Sequence, residues 1–256
     1  MADRNEATTL PQVADTGRVA WEHDGAVRIL TLDRPARRNA FTVSLYRELT
    51  AALRQADDDE SVRVVVLTGA GPAFCAGTDL DELAAIATGA APDGAGTAFP
   101  GLLDALTEVS VPLVAAVNGP GVGLGATMLP YFDLVFMADT ARLRAPFAAM
   151  GVPPEAASSA LFPLRMGWLR AARALLAAAW MSADEALAGG LVTAISPAER
   201  VLADAVAAAQ EIAAHERAAT RSIKSLMRAA ERDLIAATRA REDDAYRRLF
   251  RPEERP

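Results

Sequence analysis

Apolar residues fall along this chain in two alternating rhythms. Val62 to Thr68 and Ser110 to Val117 are short, nearly continuous apolar runs, the pattern of strands covered on both faces. Between such runs the spacing becomes helical: Leu45, Leu49 and Leu53 recur at every fourth position behind Thr42, a residue suited to capping a helix start. The strand-then-helix order repeats. A small-residue turn after Thr68 leads to a helix from about Asp79 to Ile86, and Leu102 to Val109 reads as helix. Ser110 to Val117 precedes one or two helical turns from Leu124 to Leu129, stopped by Pro130, and Asp133 to Met137 is a further strand. This alternation predicts an α/β fold with a mainly parallel sheet.

Ahead of these units, Val19 to Glu22 and Ala26 to Leu32 flank His23-Asp24-Gly25, a hairpin signal that places His23 at the turn. Beyond Arg144 helix dominates. Pro153-Pro154 breaks the chain, Glu155 opens the segment Ala156 to Met166, and Trp168 to Trp180 is an alanine-rich helix. Ser182-Ala183-Asp184-Glu185 has the form of a capping box, Gly189-Gly190 stops that helix, and Leu191 to Ile195 is a last strand. Residues 1–16 are expected as a flexible N-terminal tail, 17–196 as an α/β core, and 197–256 as a C-terminal helical oligomerisation region with three helical patterns. Arg221, Lys224 and Arg228 sit there on a polar stripe. The Gly, Ala, Pro and Asp-rich stretch from Thr88 to Thr97 is expected as a mobile surface loop.

A chain of 256 residues that is 52% hydrophobic can bury one large core. Its net charge of -7 argues against a nucleic-acid partner met by broad phosphate neutralisation. The single cysteine, Cys75, excludes an internal disulfide and a multi-thiolate zinc site, and two histidines are too few for a His-rich metal site. The acidic run Asp57-Asp58-Asp59-Glu60 lacks metal-loop spacing and reads as a solvated helix end. No segment has the form of a signal peptide or a membrane span, so a cytoplasmic protein with no metal and no membrane partner is expected.

The candidate chemistry lies in Val117-Asn118-Gly119-Pro120-Gly121-Val122-Gly123-Leu124-Gly125-Ala126, where glycines alternate directly after a strand. Residues without a Cβ let backbone approach closely and leave amides uncovered at a helix start. Three readings stay open on these residues alone: a G-x-G-x-x-A dinucleotide turn, an oxyanion site, or a tight turn without a ligand. A second strand-turn-helix corner, Cys75-Ala76-Gly77-Thr78-Asp79, favours the oxyanion reading, because a paired oxyanion hole needs two corners. Cys75 among small residues reads as a packed core thiol. Asp33-Arg34-Pro35-Ala36-Arg37-Arg38-Asn39 supplies a cluster of arginines that a turn alone would explain.

The chain resembles the enoyl-CoA hydratase/isomerase (crotonase) superfamily over about Arg18 to Arg228. The resemblance is carried by Leu32-Asp33-Arg34-Pro35 with Asn39-Ala40, Phe74-Cys75-Ala76-Gly77-Thr78-Asp79-Leu80, Ala115-Ala116-Val117-Asn118-Gly119-Pro120, Phe132-Asp133-Leu134 and Ala188-Gly189-Gly190-Leu191-Val192. It implies a spiral of ββα turns with a C-terminal helical region, assembled as a homotrimer or dimer of trimers. It also implies oxyanion amides on Thr78 and Leu124, and coenzyme A, as part of the substrate and with no separate cofactor, held near Ala36, Arg37, Arg38, Ala76, Asp79 and Lys224. The two glutamates of the family's hydratases correspond to Thr127 and Phe147, neither of which is a carboxylate. Ala145-Pro146-Phe147 through Pro154-Glu155 to Ser158-Ser159 resembles instead the segment of the Δ3,Δ2-enoyl-CoA isomerase branch in which the glutamate is the catalytic base. The expected function is therefore double-bond migration in a 3-enoyl-CoA through Glu155. Another acyl-CoA reaction of the superfamily and a non-catalytic acyl-CoA-binding role are the alternatives.

Overall fold

The protein is described by a computed structural model over residues 17–250; the expected tail at 1–16 lies outside the described residues. An antiparallel hairpin opens the chain, β1 (Arg18–Asp24) with β2 (Val27–Asp33). The ladder runs as far as Asp24 opposite Val27, so only Gly25 and Ala26 form the turn. His23 is thus not a turn residue: it pairs with Arg28 inside the ladder, and its Nε2 accepts from Arg28 Nε at 3.3 Å.

The remaining strands are β3 (Val64–Gly69), β4 (Leu113–Val117), β5 (Gly121–Val122), β6 (Leu134–Ala138), β7 (Arg142–Arg144), β8 (Met181–Ser182) and β9 (Ala194–Ser196). A six-stranded sheet has the order β1-β2-β3-β4-β6-β9, parallel from β2 onward. A smaller sheet of β5, β7 and β8 lies beside it, and its line of strands is extended by parallel bridges of Phe41 with Thr78 and of Cys75 with Gly121. Each long parallel strand therefore runs into a short segment of this second layer before the next helix begins. Repetition of that step is the ββα spiral.

The helices follow as α1 (Val43–Asp58), α2 (Leu80–Ala87), α3 (Ala95–Glu108), α4 (Leu124–Thr127), α5 (Phe147–Met150), α6 (Ser158–Met166), α7 (Trp168–Leu175), α8 (Ala183–Gly189), α9 (Val201–Ala213) and α10 (Arg217–Phe250). Thr42 caps α1 by accepting from Leu45 N, and the capping box at Ser182 and Glu185 is present at α8. β3 is buried along its whole length. Val65 and Leu67 point into the core that holds Leu45, Leu49 and Leu102, whereas Val64 and Val66 face Ala205, Val206 and Ala209 of α9. The strand period of two sends alternate side chains to opposite faces, and both faces are covered.

Four further expectations change. α3 starts at Ala95, so the end of the presumed loop, 95–97, is helix and the helix expected from Leu102 begins seven residues earlier, with Pro100 inside it; the glycines and the proline hid its start because local propensity yields to packing. The alanine-rich helix ends at Leu175, short of Trp180. After Pro197 there are two helices, because α10 runs unbroken for 34 residues. The acidic run is engaged: Asp57 Oδ1 accepts from Ser110 N and Val111 N, both at 3.0 Å, and from Arg221 Nη2 at 3.1 Å, and Asp59 pairs with Arg28 at 2.6 Å.

Candidate active site

The two glycine corners lie against each other. Val122 N donates to Cys75 O at 2.8 Å. A Cβ on Gly125 would come within 2.4 Å of Cys75 O, and one on Gly77, whose φ is +87°, within 2.8 Å of Val122 O. Gly125 and Gly77 are therefore required by the approach of one corner to the other. A dinucleotide turn needs a long helix behind it, and α4 is four residues long.

The same site on Gly77 lies 3.6 Å from Leu124 N, which places the Leu124 amide next to the Gly77-Thr78 corner. Among the described residues, neither Thr78 N nor Leu124 N donates to a protein acceptor. Leu124 opens α4, where amides have no intrahelical partner, and its side chain is buried in the core. Two uncommitted amides thus sit at adjacent corners.

Asp79 supports this corner from behind. Its Oδ1 accepts from Asp81 N and Glu82 N at the start of α2, and its Oδ2 pairs with Arg34 Nη1 at 2.6 Å, both side chains being buried. Burial pushes its carboxyl up, but the Arg34 bond and the amide bonds outweigh it and hold the group below the usual carboxylate range. Asn39, with φ 56°, donates from Nδ2 to the carbonyls of Ala70, Ala73 and Phe74 at 2.9, 2.8 and 3.2 Å. Ala36, Arg37 and Arg38 lie exposed on and after a single 3-10 turn, and Arg38 O accepts from Ala76 N at 2.9 Å. The arginine cluster and Ala76 are thereby neighbours.

Lys224 is elsewhere. Its Nζ is buried, donates to Val111 O at 2.8 Å and pairs with Asp133 Oδ2 at 2.9 Å; burial lowers its pKa, and the Asp133 charge opposes that. Arg228 is likewise buried, donating to Tyr131 O at 2.8 Å. The stripe read as polar turns Lys224 and Arg228 toward the body of the protein, and no Lys224 contact with the cavity described next is present.

A cavity of about 550 Å³ opens at the two corners, lined by Ala76, Gly77, Thr78, Gly123, Phe147 and Glu155 among others. Its far wall, from α2 and α3, is apolar, with Leu83, Ile86, Phe99 and Leu103. Glu155 follows Pro154, and its carbonyl accepts from Ser158 N at 3.0 Å and Ser158 Oγ at 2.6 Å. Burial, and then the charge of Glu242, push its carboxyl up to about 7. Thr127 is fully buried, its hydroxyl bonded to Gly123 O at 3.2 Å, and Phe147 faces the cavity with a ring. Glu155 is thus joined in one cavity to the Thr78 corner and to Gly123, the residue before Leu124.

Two lining residues were not legible in the sequence. Tyr46 belongs to the buried stripe of α1, yet its hydroxyl lies 2.8 Å from Thr78 Oγ1; burial and the charge of Glu155 keep it protonated by raising its pKa well above the ordinary value. Glu242 sits in a polar helix more than eighty positions after Glu155, with no local signal to mark it. Cys75 is buried with its pKa pushed up to about 12 by desolvation, which makes it a packed thiol. Among the described residues no cluster of His, Cys, Asp and Glu could hold a metal ion.

The chain matches the family model described as enoyl-CoA hydratase/isomerase over residues 22–255. It is 38% identical to enoyl-CoA delta isomerase 2 of Rattus norvegicus over 68% of this chain and 45% of that protein, so it matches about half the length of that relative. A solved enoyl-CoA hydratase/isomerase from Pseudoalteromonas atlantica superposes with a TM-score of 0.85 at 33% identity, covering 92% of both chains. An enoyl-CoA hydratase from Mycobacterium marinum superposes with a TM-score of 0.78 at 44% identity, covering 82% of this chain and 98% of that one.

Proposed function

The chain belongs to the enoyl-CoA hydratase/isomerase family, and from that premise we propose that it is an isomerase moving the double bond of a 3-enoyl-CoA thioester to the 2-position. Glu155 takes a proton from C2, the electron pair delocalises onto the thioester oxygen as a dienolate, and the same carboxyl returns a proton at C4 as the C3=C4 bond becomes C2=C3. The amides of Thr78 and Leu124 donate to that oxygen, each contributing about 3 kcal/mol to such a step. General base catalysis adds a factor of about a hundred to ten thousand. A carboxyl near 7 suits a group that must both accept and return a proton.

The observation that carries this reading is that Glu155 lines the cavity beside the two corners, while Thr127 and Phe147, the positions that the resemblance pairs with a hydratase's glutamates, are not carboxylates. The names of relatives include an enoyl-CoA delta isomerase, which supports it. Apolar α2 and α3 side chains suit an acyl tail, and the exposed Arg37 and Arg38 beside Ala76 suit the phosphates of coenzyme A. The exposed Trp168, Leu169 and Leu176 on and after α7 suit self-association into a trimer. None of the described helices is long and apolar enough to cross a membrane.

Glu155→Gln is the test. Conversion of a 3-enoyl-CoA, followed by the absorbance of the conjugated product, should fall at least about a hundredfold, with thioester binding by calorimetry unchanged. Near-normal turnover in the variant would sink the assignment.

A further inference from the structure

The turn that carries Glu155 is held in an unfavourable backbone conformation. Ala156 and Ala157 both have positive φ, 58° and 55°, a region that costs a residue with a Cβ on the order of 1–2 kcal/mol. Such a turn persists when its surroundings fix it. Tyr131 donates to Ala156 O at 2.9 Å and Ser158 bonds back to Glu155 O. The peptide groups beyond are met from α10. Glu242 accepts from Ala157 N at 2.7 Å with Oε2, and from Ser159 N at 2.9 Å and Ser159 Oγ at 2.6 Å with Oε1.

Glu242 is buried and lines the same cavity as Glu155. It ends a stripe of buried α10 residues at helical spacing, Lys224, Arg228, Ile235, Thr238 and Glu242, so the lower part of that helix fixes where its carboxylate stands. We infer that Glu242 is a positioning residue for the base: by gripping the amides of Ala157 and Ser159 at the start of α6, it fixes the 155–159 turn and aims the Glu155 carboxyl into the cavity. This rests on the assignment of Glu155 as the base.

The arrangement also sets a charge beside Glu155. The other charged or titratable groups lining the cavity are Tyr46, Glu82, Arg144, Arg239, Asp243 and Tyr246. Glu242's negative charge raises the carboxyl of Glu155, so neutralising it lowers the pH at which the base ionises. Residue 242 therefore acts on two observables, the aim of Glu155 and its ionisation. A merely structural contact would move neither the pH profile nor kcat at constant KM.

The experiment compares Glu242→Ala and Glu242→Gln with the wild-type chain, each checked for fold by circular dichroism. For Glu242→Ala, kcat should fall roughly tenfold to a hundredfold with KM unchanged, the effect of a misplaced reacting group. Glu242→Gln should recover part of the loss, because its carbonyl oxygen still accepts one amide. It should also move the acidic limb of kcat to lower pH. Titration of Glu155 by carbon-13 NMR, its signal assigned by loss in Glu155→Gln, reads the same shift without any turnover. If the wild type does not isomerise but Glu155 titrates lower in Glu242→Gln, the isomerase reading fails and the coupling stands. Unchanged kcat together with an unchanged Glu155 titration overturns the inference. Should Glu242→Ala not fold, Ser159→Ala, which deletes one hydroxyl contact, replaces it and should reduce kcat in the same direction; no change there, with no shift in Glu242→Gln, is equally an overturning result.

Discussion

At the residue scale the decisive group is Glu155, whose environment sets two opposed pH dependences. Burial and Glu242 raise its carboxyl from 4.5 to about 7, so folding favours the protonated form. Its contribution to stability is then complete below about pH 4.5 and is lost as pH rises through about 7. The proposed proton abstraction needs the ionised form and runs the other way. Glu155→Gln stays neutral throughout, so it should gain stability relative to wild type between these limits, by at most about 3 kcal/mol, since the side chain is partly open to the cavity. Urea unfolding at pH 4.5 and pH 8 measures the gap. An equal difference at both values would show that Glu155 is not held protonated by the fold.

At the element scale the two corners are set by what packs behind them. Arg34 and Asp79 form a buried pair at 2.6 Å that joins the turn after β2 to the start of α2. Thr78, whose amide is proposed to bind the oxyanion, is the residue before Asp79. Arg34→Met should leave the Asp79 charge uncompensated and cost about 3–5 kcal/mol of stability. It should also lower kcat, because the corner loses its support. Chemical denaturation and turnover of the same variant check both parts; a stability change below about 0.5 kcal/mol, the ordinary scatter of surface substitutions, would remove the pair from this role.

At the scale of the whole molecule, α10 is bound to the core along its length. Lys224 reaches Val111 O and Asp133, Arg228 reaches Tyr131 O, and Glu242 reaches the turn that carries Glu155. Lys224 was expected to meet the phosphates of coenzyme A, and its burial gives it a structural task instead. Lys224→Met should therefore destabilise the protein by about 3 kcal/mol through loss of the buried pair with Asp133, leaving KM for the thioester unchanged. A raised KM at unchanged melting temperature would return Lys224 to the phosphates.

The order of strands and helices and the two glycine corners were legible in the sequence because each rests on local physics, whereas Glu155 was singled out only by the resemblance of its segment to the isomerase branch. Buried strands need continuous apolar runs, helix starts need caps such as Thr42 and Ser182, and corners that touch need glycine at Gly77 and Gly125. The helical stretch 95–101, the ties of Asp57 and Asp59, the burial of Lys224 and the placement of Tyr46 and Glu242 were decided only by tertiary structure. Each depends on a partner far along the chain, such as Asp133 for Lys224 or Ala157 for Glu242, and a charged side chain carries no mark of whether it will meet water or a buried amide.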